Sequence, residues 1–127
     1  MNRQIEMVHQ FMTAFEQPHN HQITSKLPYE LKQLRINLIR EELIEYETAC
    51  LNEDIIEIAD ALMDILYVVF GAILVHGLAD KAEELFKNVH ESNITKELHF
   101  GDSMIKDGRV KKGKDFCPPD IKSVLER

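Results

Sequence analysis

The sequence predicts an all-α protein, an antiparallel bundle of four to five helices followed by a loop-rich C-terminal tail. Three observations predict it. Apolar residues recur at three- and four-residue spacing in successive segments up to about residue 93. The break between the two longest segments is only a few residues, which forces antiparallel neighbours. Beyond residue 100 that periodicity lapses, and Gly101, Gly108, Gly113, Pro118 and Pro119 punctuate a polar stretch.

Ile5, Val8, Phe11, Met12 and Phe15 give a first helix ending near Gln17, before Pro18 and the polar loop His19 to Gln22. A second helix is expected from about Pro28 to Leu51, with Ser25 or a neighbour as cap and Pro28 in the first turn. Asn52 is placed to cap a third helix, with Glu53 and Asp54 at its positive end and Gly77 to close it. Asp80 and Glu83 resemble a capping box opening a fourth helix, which fades near Ser92. In the tail, Met104 to Lys111 suits a small hairpin around Asp107-Gly108, and a last helical turn follows Pro119.

A length of 127 residues fits one domain, with a helical core over 1–93 and a substrate-covering loop and tail over 94–127. A net charge of -7 argues against a nucleic-acid binder, because phosphate backbones select basic surfaces. Cys50 and Cys117 have no partner at metal-ligand spacing and read as reduced thiols of a cytoplasmic protein. The apolar stretch Ile55 to Val75 carries Glu57, Asp60 and Asp64, which are costly in a bilayer, so it reads as a buried helix and no membrane is expected.

The carboxylates carry the chemistry. On the second helix Glu41 and Glu45 fall within about 60° of Leu27, Leu34 and Leu38, with Glu42 within about 100°. The opposite side holds Ile36, Ile39, Leu43, Tyr46 and Cys50, so this helix reads as buried on two faces with its acids turned inward. On the third, Glu53, Glu57, Asp60 and Asp64 share an arc of about 60° while the other directions are apolar. Lys and Arg are absent between Glu41 and Asp80, where ten acids lie. The counter-charge is therefore expected to be a metal, and clustered oxygens favour Mg²⁺, with Mn²⁺ as the other choice.

Glu41-Glu42-Leu43-Ile44-Glu45 followed by Glu57-Ile58-Ala59-Asp60 resembles the ExxE…ExxD signature of the all-α nucleoside triphosphate pyrophosphohydrolases. So do Asp64 to Gly71, Val89 to Lys96, Asp107-Gly108-Arg109, Lys112-Gly113 and Phe116 to Asp120. Together they look like a phosphoribosyl-ATP-pyrophosphohydrolase-like branch related to MazG-type and dimeric dUTPase-like enzymes, although the tail differs from that of the histidine-biosynthesis enzyme. The resemblance implies a helical bundle completed by dimerisation and cleavage of a nucleoside triphosphate between its α and β phosphorus atoms. It implies Glu41, Glu42 and Glu45 as metal ligands or water-activating base, with Asn93, Lys96 and Lys112 approaching the nucleotide. Aligned through Tyr67 and Gly71, Asp64 takes the aspartate position and Ala61 stands where a Glu belongs. The other register uses Glu57 and Asp60. Glu42 is the expected base, because Glu41 and Glu45 share one edge of the stripe and suit a common ion.

Between Lys106 and Lys114 five basic residues face one acid, a loop suited to close over a triphosphate. Glu6 and His9 form a single Glu-x-x-His pair, the unit that di-iron carboxylate bundles repeat, and no second copy follows. His90 and His99 lack ligand spacing, and Met63, Tyr67 and Phe70 lie at packing positions. Besides an enzyme, a non-catalytic nucleotide- or metal-binding bundle and a metal-storage bundle share this pattern.

Overall fold

The computed structural model describes residues 2–97, 105–106, 109–110 and 112–127. It is all-α: α1 (Asn2–Ala14), α2 (Tyr29–Leu51), α3 (Ile55–Val75), a short 3₁₀ turn (Ala79–Lys81), α4 (Ala82–Glu97) and α5 (Ile121–Glu126), with one two-residue ribbon. The ribbon pairs β1 (Ile105–Lys106) with β2 (Arg109–Val110) antiparallel, Ile105 opposite Val110, flanking the expected Asp-Gly turn, which itself lies outside the described residues. Two compact units divide the chain, Met1–Asp80 and Lys81–Arg127.

In the first unit α2 and α3 form an antiparallel pair and α1 packs on α3. The turn between α2 and α3 is tight for identifiable reasons. Asn52 closes α2 through its N–H to the carbonyls of Thr48 and Cys50, and Glu53 takes a left-handed φ of 51°. Asp54, rather than the expected Asn52, caps α3 by accepting from the N–H groups of Ile56 and Glu57 at 3.1 and 3.3 Å. Helix α2 has Pro28 at its N-cap with no side-chain cap, so Ser25 does not serve there. Helix α1 stops at Ala14, short of Gln17, because Glu16 turns left-handed at φ 55° and the Gln17 N–H bonds back to Met12 O at 2.8 Å.

The core is small: Ile5, Val8 and Met12 of α1, Ala49 of α2, and Ala61, Phe70, Leu74 and Val75 of α3. This corrects the expectation that α3 is buried on nearly every side and α2 on two. Ile55, Ile56 and Met63 are 73%, 76% and 59% exposed, and Leu43, Ile44 and Leu51 are exposed as well. Helical periodicity reports which side chains favour leaving water, and says nothing of whether the cover comes from the same chain. Helix α3 also has the length and hydropathy of a membrane span, while Asp60 and Asp64 along it and its packing on α1 and α2 fit a bundle helix.

Gly77 closes α3 at φ +70°, with its N–H on Leu74 O and that of Leu78 on Ile73 O. A Cβ there would collide with the backbone carbonyl of Gln22. Gly77→Ala is therefore expected to destabilise the fold by about 2–4 kcal/mol, combining left-handed strain with a backbone clash. Thermal unfolding checks this, as a fall in Tm of about 10 °C.

In the second unit, α4 runs to Glu97, past the expected fade at Ser92, and the 3₁₀ turn precedes it where a capping box was expected. The tail is pinned along α4. Ser92, 6% exposed, donates to Cys117 O at 2.7 Å; the Cys117 N–H donates to Thr95 Oγ1 at 3.1 Å; the Asp120 N–H donates to Asn88 Oδ1 at 2.7 Å. Val124 of α5 is buried, and Arg127 pairs with Glu84 at 2.6 Å.

Candidate active site

The antiparallel packing of α2 and α3 sets the register. Arg35, buried on α2, lies so close to Gly71 of α3 that a Cβ on Gly71 would stand 2.5 Å from its Nη1. Glu42 is two turns along α2 from Arg35, and Asp64 is two turns back along α3 from Gly71. Both steps cover about 10 Å, so the two carboxylates arrive at the same level. Buried Ala49 and Ala61 flank them and leave room for the helices to approach.

The result is a convergence of Glu42, Glu45 and Asp64, whose carboxylate oxygens lie within 4.8 Å of one another. Glu45, Glu57 and Asp60 line an adjoining groove of about 370 Å³ toward the α2–α3 turn. Glu41, Glu45, Glu57 and Asp60 are exposed, while Glu42 and Asp64 are half-buried, so the inward reading applies to Glu42 most clearly among the α2 acids. Glu41 stands outside the converging trio. Asp64 therefore joins the centre and Asp60 lies one turn before it on α3, near enough for its charge to act on both Glu42 and Asp64.

Burial first, then the hydrogen bond and charge of Glu45 and the charges of Asp64 and Asp60, push Glu42 up to about 7. Asp64 is raised by burial and by the charges of Asp60 and Glu45. Glu42 Oε2 is buried without a hydrogen-bond partner. All-oxygen donors, no Lys or Arg between residues 41 and 80, and an orphaned buried oxygen fit a hard divalent cation.

This repulsion has a measurable consequence without metal. Because the folded-state pKa of Glu42 is raised to about 7, its contribution is most favourable below the unfolded glutamate value and is lost as pH rises through about 7. In chelator, Tm is expected to fall between about pH 5 and about pH 8, and Glu42→Gln to remove part of that fall. Solvent screening holds the gain at the higher pH to about 1 kcal/mol, a Tm difference of about 3–6 °C in calorimetry. Identical pH profiles for the two proteins would refute the crowding.

In the second unit the ammonium groups of Lys96 and Lys112 sit over one ring, that of Phe116, at 5.4 and 5.0 Å from its centroid. Asn93 is exposed on α4 one turn before Lys96. The sequence reading missed Phe116 as the platform that gathers the two lysines. Its only signal was an aromatic four residues after Lys112, and the contact depends on the pinning of the tail to α4.

With this geometry in place, comparison with protein families gives a match. The model of the family described as phosphoribosyl-ATP pyrophosphohydrolase covers residues 8–93, which includes every acid of the cluster. Comparison with curated proteins gives no match.

Proposed function

Because the chain belongs to the phosphoribosyl-ATP pyrophosphohydrolase family, we propose that it is a Mg²⁺-dependent hydrolase cleaving a nucleoside or deoxynucleoside triphosphate to monophosphate and pyrophosphate. The observation that carries this reading is the convergence of Glu42, Glu45 and Asp64 on one point between α2 and α3, with no side-chain cation supplied from that span. Glu45, Asp64 and Asp60 are the residues that would hold Mg²⁺ or Mn²⁺, with Glu41 and Glu57 at the margins. Bound there, the cation supplies Lewis-acid polarisation of the phosphate oxygens.

Glu42 has the environment of a base. It is half-buried and has an unpartnered oxygen beside the residues that would hold the cation, where it can accept a proton from water. It takes the proton of the attacking water, while Asn93, Lys96 and Lys112 bind the nucleotide. The exposed apolar side chains of α2 and α3, among them Leu43, Ile44, Ile55, Ile56 and Met63, support a homodimer whose interface would cover them.

Product analysis over a panel of triphosphates and phosphoribosyl-ATP, with Mg²⁺, tests the reaction. Pyrophosphate and a monophosphate are expected, with a triphosphate turned over faster than phosphoribosyl-ATP. Orthophosphate with a diphosphate would refute the cleavage position, and binding without turnover of any compound would leave a non-catalytic nucleotide-binding bundle.

A further inference from the structure

The Glu6–His9 pair is not absorbed by the acidic centre, yet the fold gives it company. A cavity of about 420 Å³ in the first unit is lined by Glu6 and His9 of α1, His19 and His21 of the following loop, and Asp80. The His9 and His19 ring centroids are 4.8 Å apart, edge to face, and those of His19 and His21 are 5.9 Å apart. Leu74 borders the cavity ten residues along α3 from Asp64, about 15 Å, so this cluster is separate from the acidic one.

The loop carrying the two histidines is held in place. The Asn20 N–H donates to Leu74 O at 3.1 Å, its side-chain amide donates to Val75 O at 2.7 Å, and the Thr24 N–H donates to His76 O at 3.0 Å. His19 Nδ1 lies 3.0 Å from the Gln17 carbonyl, which accepts its proton and leaves Nε2 as the nitrogen with a lone pair. An imidazole oriented through a carbonyl in this way has the outer-shell support that metal-ligating histidines use.

We propose that this cavity binds a borderline divalent cation of the Zn²⁺ class, taken by His9, His19 and His21 with Glu6 or Asp80, and that the ion clamps the loop to α1. Two imidazoles on one tetrahedral ion, each nitrogen at about 2.0 Å, place their ring centroids about 5 Å apart, near the 4.8 Å between His9 and His19 and shorter than the 5.9 Å between His19 and His21. Three imidazoles with a carboxylate suit Zn²⁺, Co²⁺ or Ni²⁺ better than Mg²⁺, which favours oxygen. Glu42, Glu45 and Asp64 already converge within ligand distance. Around this cavity no three donor atoms of the described residues lie that close, and the imidazoles close on the ion by side-chain rotation, most easily at His21, which is exposed.

The test is equilibrium dialysis of the chelator-treated full chain against Zn²⁺ in excess Mg²⁺, with Co²⁺ absorbance as the spectroscopic probe. About one Zn²⁺ per chain is expected, with a rise in Tm. His9→Gln and His21→Gln should weaken it by more than about 100-fold, beyond the loss of a mere outer-shell partner, and remove the Co²⁺ ligand-field bands. Glu42→Gln combined with Asp64→Asn should leave both signals unchanged. His9 is half-buried at the cavity wall and His21 is exposed on the loop, and neither belongs to the buried core, so circular dichroism should show both variants folded. Zn²⁺ binding unaffected by the histidine changes, lost only with the acidic ones, or absent from the wild type would each overturn the proposal.

Discussion

Glu42→Gln is expected to lower kcat by about 10² to 10⁴ while leaving the affinity for the Mg²⁺-nucleotide within a few-fold of wild type. Glutamine preserves the shape of the side chain and fills the same space beside Asp64, but cannot accept the water's proton. The change also relieves charge crowding, since Glu45, Asp64 and Asp60 all push Glu42 toward its neutral form. The variant should therefore be more stable and less active, a pairing that general damage to the fold does not produce. Glu45→Gln and Asp64→Asn should instead raise the Mg²⁺ concentration needed for half-maximal rate, because each removes a charge from the residues that would hold the ion. Steady-state kinetics across a Mg²⁺ titration, with nucleotide affinity measured separately, distinguishes the two behaviours. Normal turnover by Glu42→Gln at saturating Mg²⁺ would remove Glu42 from the role of base.

The helices were legible in the sequence because each follows a 3.6-residue period, and the acidic centre was legible because its members share helix faces. Which acids meet was not. Glu42 and Asp64 come level only through the register that the Asn52–Asp54 turn and the Arg35–Gly71 contact impose between α2 and α3. A helical-wheel argument has no access to that register. It placed Glu41 beside Glu45 on one edge, and both are exposed in the structure, yet only Glu45 reaches the converging trio. The same limit hid the histidine cluster. Glu6 and His9 were visible as a spaced pair, but His19 and His21 reach them because the loop folds back and ties Asn20 to the end of α3. Phe116 was hidden for a related reason, since its meeting with Lys96 depends on the hydrogen bonds that Ser92 donates to, and Thr95 accepts from, the backbone of Cys117.

Leu66→Glu is expected to convert the proposed homodimer to a monomer, with a dimer dissociation constant raised by at least about 10³. Leu66 lies on the same side of α3 as Ile55, Leu62 and Met63, and all four are exposed in the single chain, Leu66 by 45%. That arc is turned away from Ala61, which is buried at the contact with α2, so the substitution leaves the α2–α3 seam and the carboxylate register in place. A two-fold interface repeats each change. One glutamate per protomer buries two charges, and each costs several kcal/mol when it loses water without a partner, so the pair exceeds about 4 kcal/mol. By the usual relation between free energy and affinity, that is about three orders of magnitude. Sedimentation velocity over a concentration series reads the change directly, and circular dichroism confirms that the monomer keeps its helices. A wild-type chain that is monomeric at micromolar concentration, or a Leu66→Glu protein that dimerises as well as the wild type, would show that this face of α3 is not where two copies meet.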